Sequence, residues 1–136
     1  MKIVEKKINV SSESRNQMID ITAKVQSAIN ESDINNGDVI VYCPHTTAGI
    51  TINENADPDV CHDILLTLSE LIPSGRAGYR HSEGNSDSHS KSSLLGCSEQ
   101  VLIKNSSLNL GTWQGIFFCE FDGPRSRKVI VQIRGE

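Results

Sequence analysis

Three histidines and one run of small polar residues carry most of the chemistry this sequence can offer. His81 and His89 lie in the segment Tyr-Arg-His-Ser-Glu-Gly-Asn-Ser-Asp-Ser-His, Tyr79 to His89, which has no aliphatic side chain. Hydrophobic burial cannot hold such a segment in place, so its order has to come from a ligand or from polar contacts. His45 falls in Pro44-His45-Thr46-Thr47, a break between two apolar runs where a side chain can be aimed into a cleft. Neutral imidazole is the commonest metal ligand, and three imidazoles converging would suit Zn²⁺ with an open fourth position. Asp87 or Glu83 could complete that shell or orient a ligating imidazole from behind it. The competing reading is a solvated loop with incidental histidines. The fourth histidine, His62, lies within a helical pattern and reads as a partly exposed helical side chain.

Other candidates are spread along the chain. Glu54 closes the strand that begins after His45; it would serve as a general base if that strand end faced the same cleft, and is otherwise a solvated charge near a helix N-terminus. In Gly111-Thr112-Trp113-Gln114-Gly115 the glycines let backbone N–H groups approach a ligand, with the Thr112 hydroxyl and Gln114 amide beside them. Trp113 reads equally as the core anchor of a bend. Arg125 offers a fork for phosphate or carboxylate, and Ser92 and Ser93 offer hydroxyls near a helix start, so a small phosphorylated or anionic ligand is the expected partner. There is no Gly-x-Ser-x-Gly elbow, no Walker-type phosphate loop, and no strand–glycine–helix dinucleotide pattern.

The elements that must position these residues follow from periodicity. Residues 2–10 alternate as a strand, and an edge position suits them. Met18, Ile21, Val25, Ala28 and Ile29 predict an amphipathic helix over 15–31. Strands are expected at 39–43 and 48–54, and a helix from Asp57-Pro58 with Val60, Ile64, Leu65, Leu68, Leu71 and Ile72 on its apolar face. Ser90–Leu95 suits a helical turn or short helix. A hairpin turns at 104–107, the run 116–121 is strongly apolar, and 128–133 closes the chain. The order β-α-β-β-α-loop-β-β-β-β predicts an α+β domain with two main helices and a largely antiparallel sheet.

The chain has 136 residues, enough for one domain over 1–136. A hydrophobic content of 37% leaves room for burial through oligomerisation. A net charge of −4 argues against sequence-independent nucleic-acid binding. No apolar window suits a membrane span, and no signal-like stretch opens the chain, so a cytoplasmic protein with four free thiols is expected.

Five blocks in order resemble the YjbQ family: Pro44-His45-Thr46-Thr47-Ala48-Gly49-Ile50, Glu54-Asn55-Ala56-Asp57-Pro58, Gly84-Asn85-Ser86-Asp87-Ser88-His89, Leu110-Gly111-Thr112-Trp113-Gln114 and Glu120-Phe121-Asp122-Gly123-Pro124-Arg125. The resemblance covers nearly the whole chain. It implies a compact α+β fold, a mixed, largely antiparallel sheet sandwich assembled as a homotrimer, and a site where His45, His81 and His89 gather around a divalent metal such as zinc. It also implies thiamine-phosphate synthase activity, a metal-dependent transfer on a small phosphorylated substrate. Glu54 and Asp87 would then be the catalytic carboxylates, and Asn85, Ser92, Thr112, Gln114 and Arg125 would bind the substrate. Two other expectations stand beside the enzyme: a non-catalytic carrier or sensor of a small ligand or metal, and a structural metal at an oligomer interface.

Overall fold

The computed structural model describes residues 1–136. Two antiparallel sheets face each other. The larger contains β1 (Lys2–Ser11), β8 (Ser126–Gly135), β3 (Gly37–Tyr42), β5 (Ser98–Lys104) and β6 (Ser107–Leu108), in that order. The smaller contains β2 (Gln17–Asp20), β7 (Gln114–Glu120) and β4 (Ala48–Glu54). All the strand ladders are antiparallel. The α+β class is as the periodicity predicts, and β1 is indeed an edge strand.

Between the sheets lies the main core. Val39, Val41, Val129, Val131 and Ile133 of the large sheet meet Ala48, Ile50, Ile116 and Phe118 of the small one, and Val25, Ala28 and Ile29 of α1 (Thr22–Ser32) close it. The other face of the small sheet carries a second cluster of Phe117, Cys119 and Phe121, covered by Leu68 and its neighbours on α2 (Pro58–Leu71). Strand β7 is therefore buried on both faces, which accounts for its unbroken apolar run. Asp57 caps α2, its side chain accepting the Asp59 N–H at 2.9 Å, with Pro58 at the first helical position.

Two expectations are corrected. The helix predicted over 15–31 starts only at Thr22, because Gln17–Asp20 pairs with β7 as a strand. The polar segment is not a loop throughout: Ser86–Leu95 forms a third helix, α3, which takes in Asp87 and His89. Its buried residues are Asp87, Ser88, Lys91 and Ser92, so the face it turns inward is polar. Side-chain bonds replace hydrophobic packing there. Arg15 grips both oxygens of Asp87 at 2.9 and 3.0 Å, the Ser88 hydroxyl donates to the Phe121 carbonyl, and the Ser92 hydroxyl donates to the Ala48 carbonyl at 2.6 Å.

Candidate functional site

A polar cleft of about 280 Å³ opens where the β3–β4 connection, the start of α3 and the β7–β8 turn converge. Its wall includes His45, Thr46 and Thr47 from the first, Asn85 and His89 from the second, Asp122 and Arg125 from the third, and Arg127 from the start of β8. The turn holds a cis Gly123–Pro124 peptide.

Each wall is fixed from behind. The buried Glu120 carboxylate takes Arg127 in two hydrogen bonds and the Ser12 hydroxyl in a third at 2.7 Å. Arg127 also donates to the Thr47 hydroxyl at 2.8 Å, tying the β3–β4 connection to β8. Burial alone would raise the Glu120 pKa. The bonds from Arg127, Ser12 and the Asp122 N–H outweigh that and hold it below the ordinary value. His45 accepts the Lys128 backbone N–H on Nε2 at 3.0 Å. Its pKa is lowered, first by burial and then by the nearby Arg127 charge, so the ring is neutral at pH 7 with its proton on Nδ1. Arg125 donates to the Asp122 carbonyl at 2.7 Å and to its carboxylate at 3.0 Å, and the Asn85 amide nitrogen donates to the same carboxylate at 2.7 Å. Both guanidiniums on the wall thus have carboxylate partners. The Asn85 Oδ1 atom is buried and has no hydrogen-bond partner.

The predicted site residues divide into three groups. His45, Asn85, His89 and Arg125 come together in the cleft. His81 stands at its edge, ring to ring with His89 in an edge-to-face pair with centroids 5.3 Å apart. Asp87 and Ser92 lie under α3, Asp87 clamped by Arg15 and Lys91 and Ser92 bonded to Ala48, so neither is presented to a ligand. Glu54, Thr112 and Gln114 are elsewhere. In the β4–β7 ladder Ala48 pairs with Glu120 beside the cleft, and Glu54 pairs with Gln114 at the far end. Six residues of strand put these ends roughly 20 Å apart. Trp113 is 64% exposed and anchors no core. Thr46, Thr47 and Asp122 line the cleft as well, and their only signal in the sequence is nearness to His45 and Arg125.

The three-histidine zinc centre is corrected. No group of three or more His, Cys, Asp or Glu side chains is arranged to hold a metal ion. His45 spends Nε2 on the Lys128 N–H, while His81 and His89 pack against each other.

A two-sheet α+β sandwich with a polar cleft at one end defines the class of protein. Residues 6–136 match the model of the family described as UPF0047 protein YjbQ-like, and the chain belongs to that family. It is 55% identical over 130 residues to a UPF0047 protein of Methanocaldococcus jannaschii, spanning 96% of this chain and 94% of the relative. It is 50% identical to UPF0047 protein YugU of Bacillus subtilis, spanning 96% and 98%. Among solved structures, an uncharacterised YjbQ/UPF0047 protein of Clostridium acetobutylicum superposes with a TM-score of 0.92 at 53% identity, covering 95% of this chain and 99% of that one. A protein of unknown function from Sulfolobus solfataricus gives 0.94 at 33% identity, covering 99% of each. These relatives are named as uncharacterised, without an activity. With no metal-holding group in the fold to support it, the thiamine-phosphate synthase expectation is withdrawn.

Proposed function

We propose that the cleft binds a small polar ligand that brings hydrogen-bond donors as well as one anionic group, and that its histidines exchange protons with that ligand without a metal between them. The observation that carries this reading is the orphaned Asn85 Oδ1. A buried acceptor without a partner costs about 1–3 kcal/mol, and a ligand hydroxyl or ammonium donor would recover that cost. The amide nitrogen of Asn85 faces Asp122 and Glu83, so the oxygen is the atom left over. A ligand with a single anionic group suits the wall better than a diphosphate. Arg125 and Arg127 are matched by Asp122 and Glu120, which leaves little surplus positive charge. His45 can donate from Nδ1, and it stays neutral where an exposed imidazole would be partly charged. The four free thiols support a reducing, cytoplasmic setting, and no helix is long and apolar enough to cross a membrane.

Glycerate and acetate are suitable probes, since both carry a carboxylate and only glycerate brings hydroxyl donors. Glycerate should shift the Asn85 side-chain amide and His45 ring resonances at millimolar concentration, acetate should shift them far less, and Asn85→Ala should remove the difference. Equal effects of the two probes, or none, would reject the reading.

A further inference from the structure

Helix α2 carries two apolar rows. Cys61, Leu65 and Leu68 face the small sheet and join the cluster around Phe117 and Phe121. Val60, Ile64, Thr67 and Leu71 form a second row along its flank, with spacings of four, three and four. That is the spacing of the a and d positions of a coiled coil. The row opens to solvent. Leu71 is 65% exposed, and Val60, Asp63, Ile64, Thr67 and Leu68 line a shallow groove of about 360 Å³ to which no other element contributes a residue. In the same register Asp63 and Glu70 take the g positions beside the row, both exposed, with Asp59 one turn before Asp63. The e positions, Cys61 and Leu68, turn toward the core, so a helix laid in the groove must lie along the acidic flank. Nothing basic neutralises that flank: its one ionic contact joins Asp63 to His62 at 3.0 Å, and the sequence has no Lys or Arg between Lys24 and Arg76.

We propose that this face of α2 docks a basic amphipathic helix of another protein, one with an aliphatic stripe flanked by Lys or Arg. The stripe packs on Val60, Ile64 and Leu71, and the cations face Asp63 and Glu70, which fixes register and direction. A second copy of this chain offers no such helix. The one basic residue of α1 is Lys24, and that of α3 is Lys91, which is buried against Asp87. Two α2 helices placed seam to seam would set acidic flanks against each other. An anionic bilayer is disfavoured for the same reason. The row spans three turns, roughly 17 Å. A contact of that size is weak and reversible, with a Kd on the order of 10–100 μM. The groove shares no residue with the polar cleft, so this docking does not depend on the ligand reading.

The probe is a labelled synthetic helix of about three heptads with Leu at a and d and Lys at e and g, titrated with the full chain and followed by fluorescence anisotropy. The same peptide with Glu in place of every Lys is the control. The Lys peptide should bind, more weakly as salt is raised, and the Glu peptide at least tenfold less tightly. Asp63→Lys/Glu70→Lys should reverse that order. Glu5→Lys/Glu13→Lys makes the same change in net charge on other surfaces and should leave the order as it is. Leu71→Ala should weaken the Lys peptide at least fivefold. All the changed positions are exposed, so circular dichroism of the variants should match the wild type. No binding of the Lys peptide, equal binding of the two peptides, or the two charge-reversed variants behaving alike overturns the proposal. A smaller sedimenting mass for Leu71→Ala than for the wild type also overturns it, since a second copy would then cover the row.

Discussion

Glu120 and Arg127 face each other from different sheets, 0% and 6% exposed, and this ion pair joins β7 to β8 directly behind the cleft. Its remaining hydrogen bonds go to Ser12, the Asp122 N–H and Thr47, so both charges are satisfied within the protein. Removing one partner leaves the other buried without its counter-charge. Glu120→Ala should therefore cost about 3–5 kcal/mol in urea unfolding. The double variant Glu120→Ala/Arg127→Met should lose less than the sum of its single changes, because no unpaired charge remains. Additive losses would show that the two side chains act independently.

Stability should fall as the solution is acidified, in two stages. His45 is held neutral by burial and the Arg127 charge, so its folded pKa lies below the unfolded value of about 6.5. Its contribution is complete above that pH and declines as pH drops through it. Asp87, held by Arg15 and then Lys91, and Glu120, held by Arg127 and Ser12, both titrate below the ordinary carboxylate range of about 4. In each case the unfolded chain binds more protons, so these contributions are lost as pH falls from about 5 toward the folded values. Urea midpoints between pH 7 and pH 3 should trace both steps, and Asp87→Asn should flatten the second. A midpoint that is constant or rises on acidification would contradict the assignment.

The Lys128 N–H contact dictates which ring nitrogen of His45 carries the proton. Long-range nitrogen–proton NMR spectra at pH 7 should show His45 Nε2 unprotonated and Nδ1 protonated. A protonated Nε2 on His45 would remove its role as a donor to the cleft.

What could be read from the chain depended on whether apolar spacing or distant partners decided the structure. Helix α2 and strands β1, β3 and β4 announce themselves because their buried faces are aliphatic. Helix α3 does not, because the inward positions 87, 88, 91 and 92 hold Asp, Ser, Lys and Ser. Helical spacing was present there, written in polar residues whose partners Arg15, Phe121 and Ala48 lie far away in sequence. Met18 and Ile21 fit a helical stripe, and only pairing with β7 makes Gln17–Asp20 a strand. At the site, His45, Asn85, His89 and Arg125 converge because three connections meet at one end of the sheets. Glu54 and Gln114 looked like members of the same site, yet the antiparallel β4–β7 register sends both to the opposite end.

Gly37 marks a close approach that no other residue can make. A Cβ built there would stand 1.8 Å from the Arg134 carbonyl oxygen on the paired strand β8. That obstacle is backbone and cannot rotate away. Gly37→Ala should lower the unfolding free energy by about 2 kcal/mol or more, the upper range for overpacking. Gly49→Ala, whose Cβ would come within 2.7 Å of the Gly96 carbonyl oxygen, should behave similarly and move the start of β4 beside the cleft. Wild-type stability in either variant would show that the strands can separate at no cost.

The four thiols should react in an order set by burial. Cys97 is exposed, Cys61 is half-buried, and Cys43 and Cys119 are buried. Burial pushes the Cys43 thiol up to about 11 and raises Cys119 and, less strongly, Cys61 above the ordinary value. With a thiol-specific disulfide reagent at pH 8, Cys97 should be modified first and Cys61 more slowly. Cys43 and Cys119 should react only after unfolding in urea, with peptide mass mapping to identify each position. Cys43 is the informative one, since it precedes Pro44 and His45 on the cleft wall and its N–H is bonded to the Cys97 carbonyl at 2.7 Å. Its modification in the native protein at a rate near that of Cys97 would mean that the β3–β4 connection opens, and that the wall carrying His45 is not the fixed element described above.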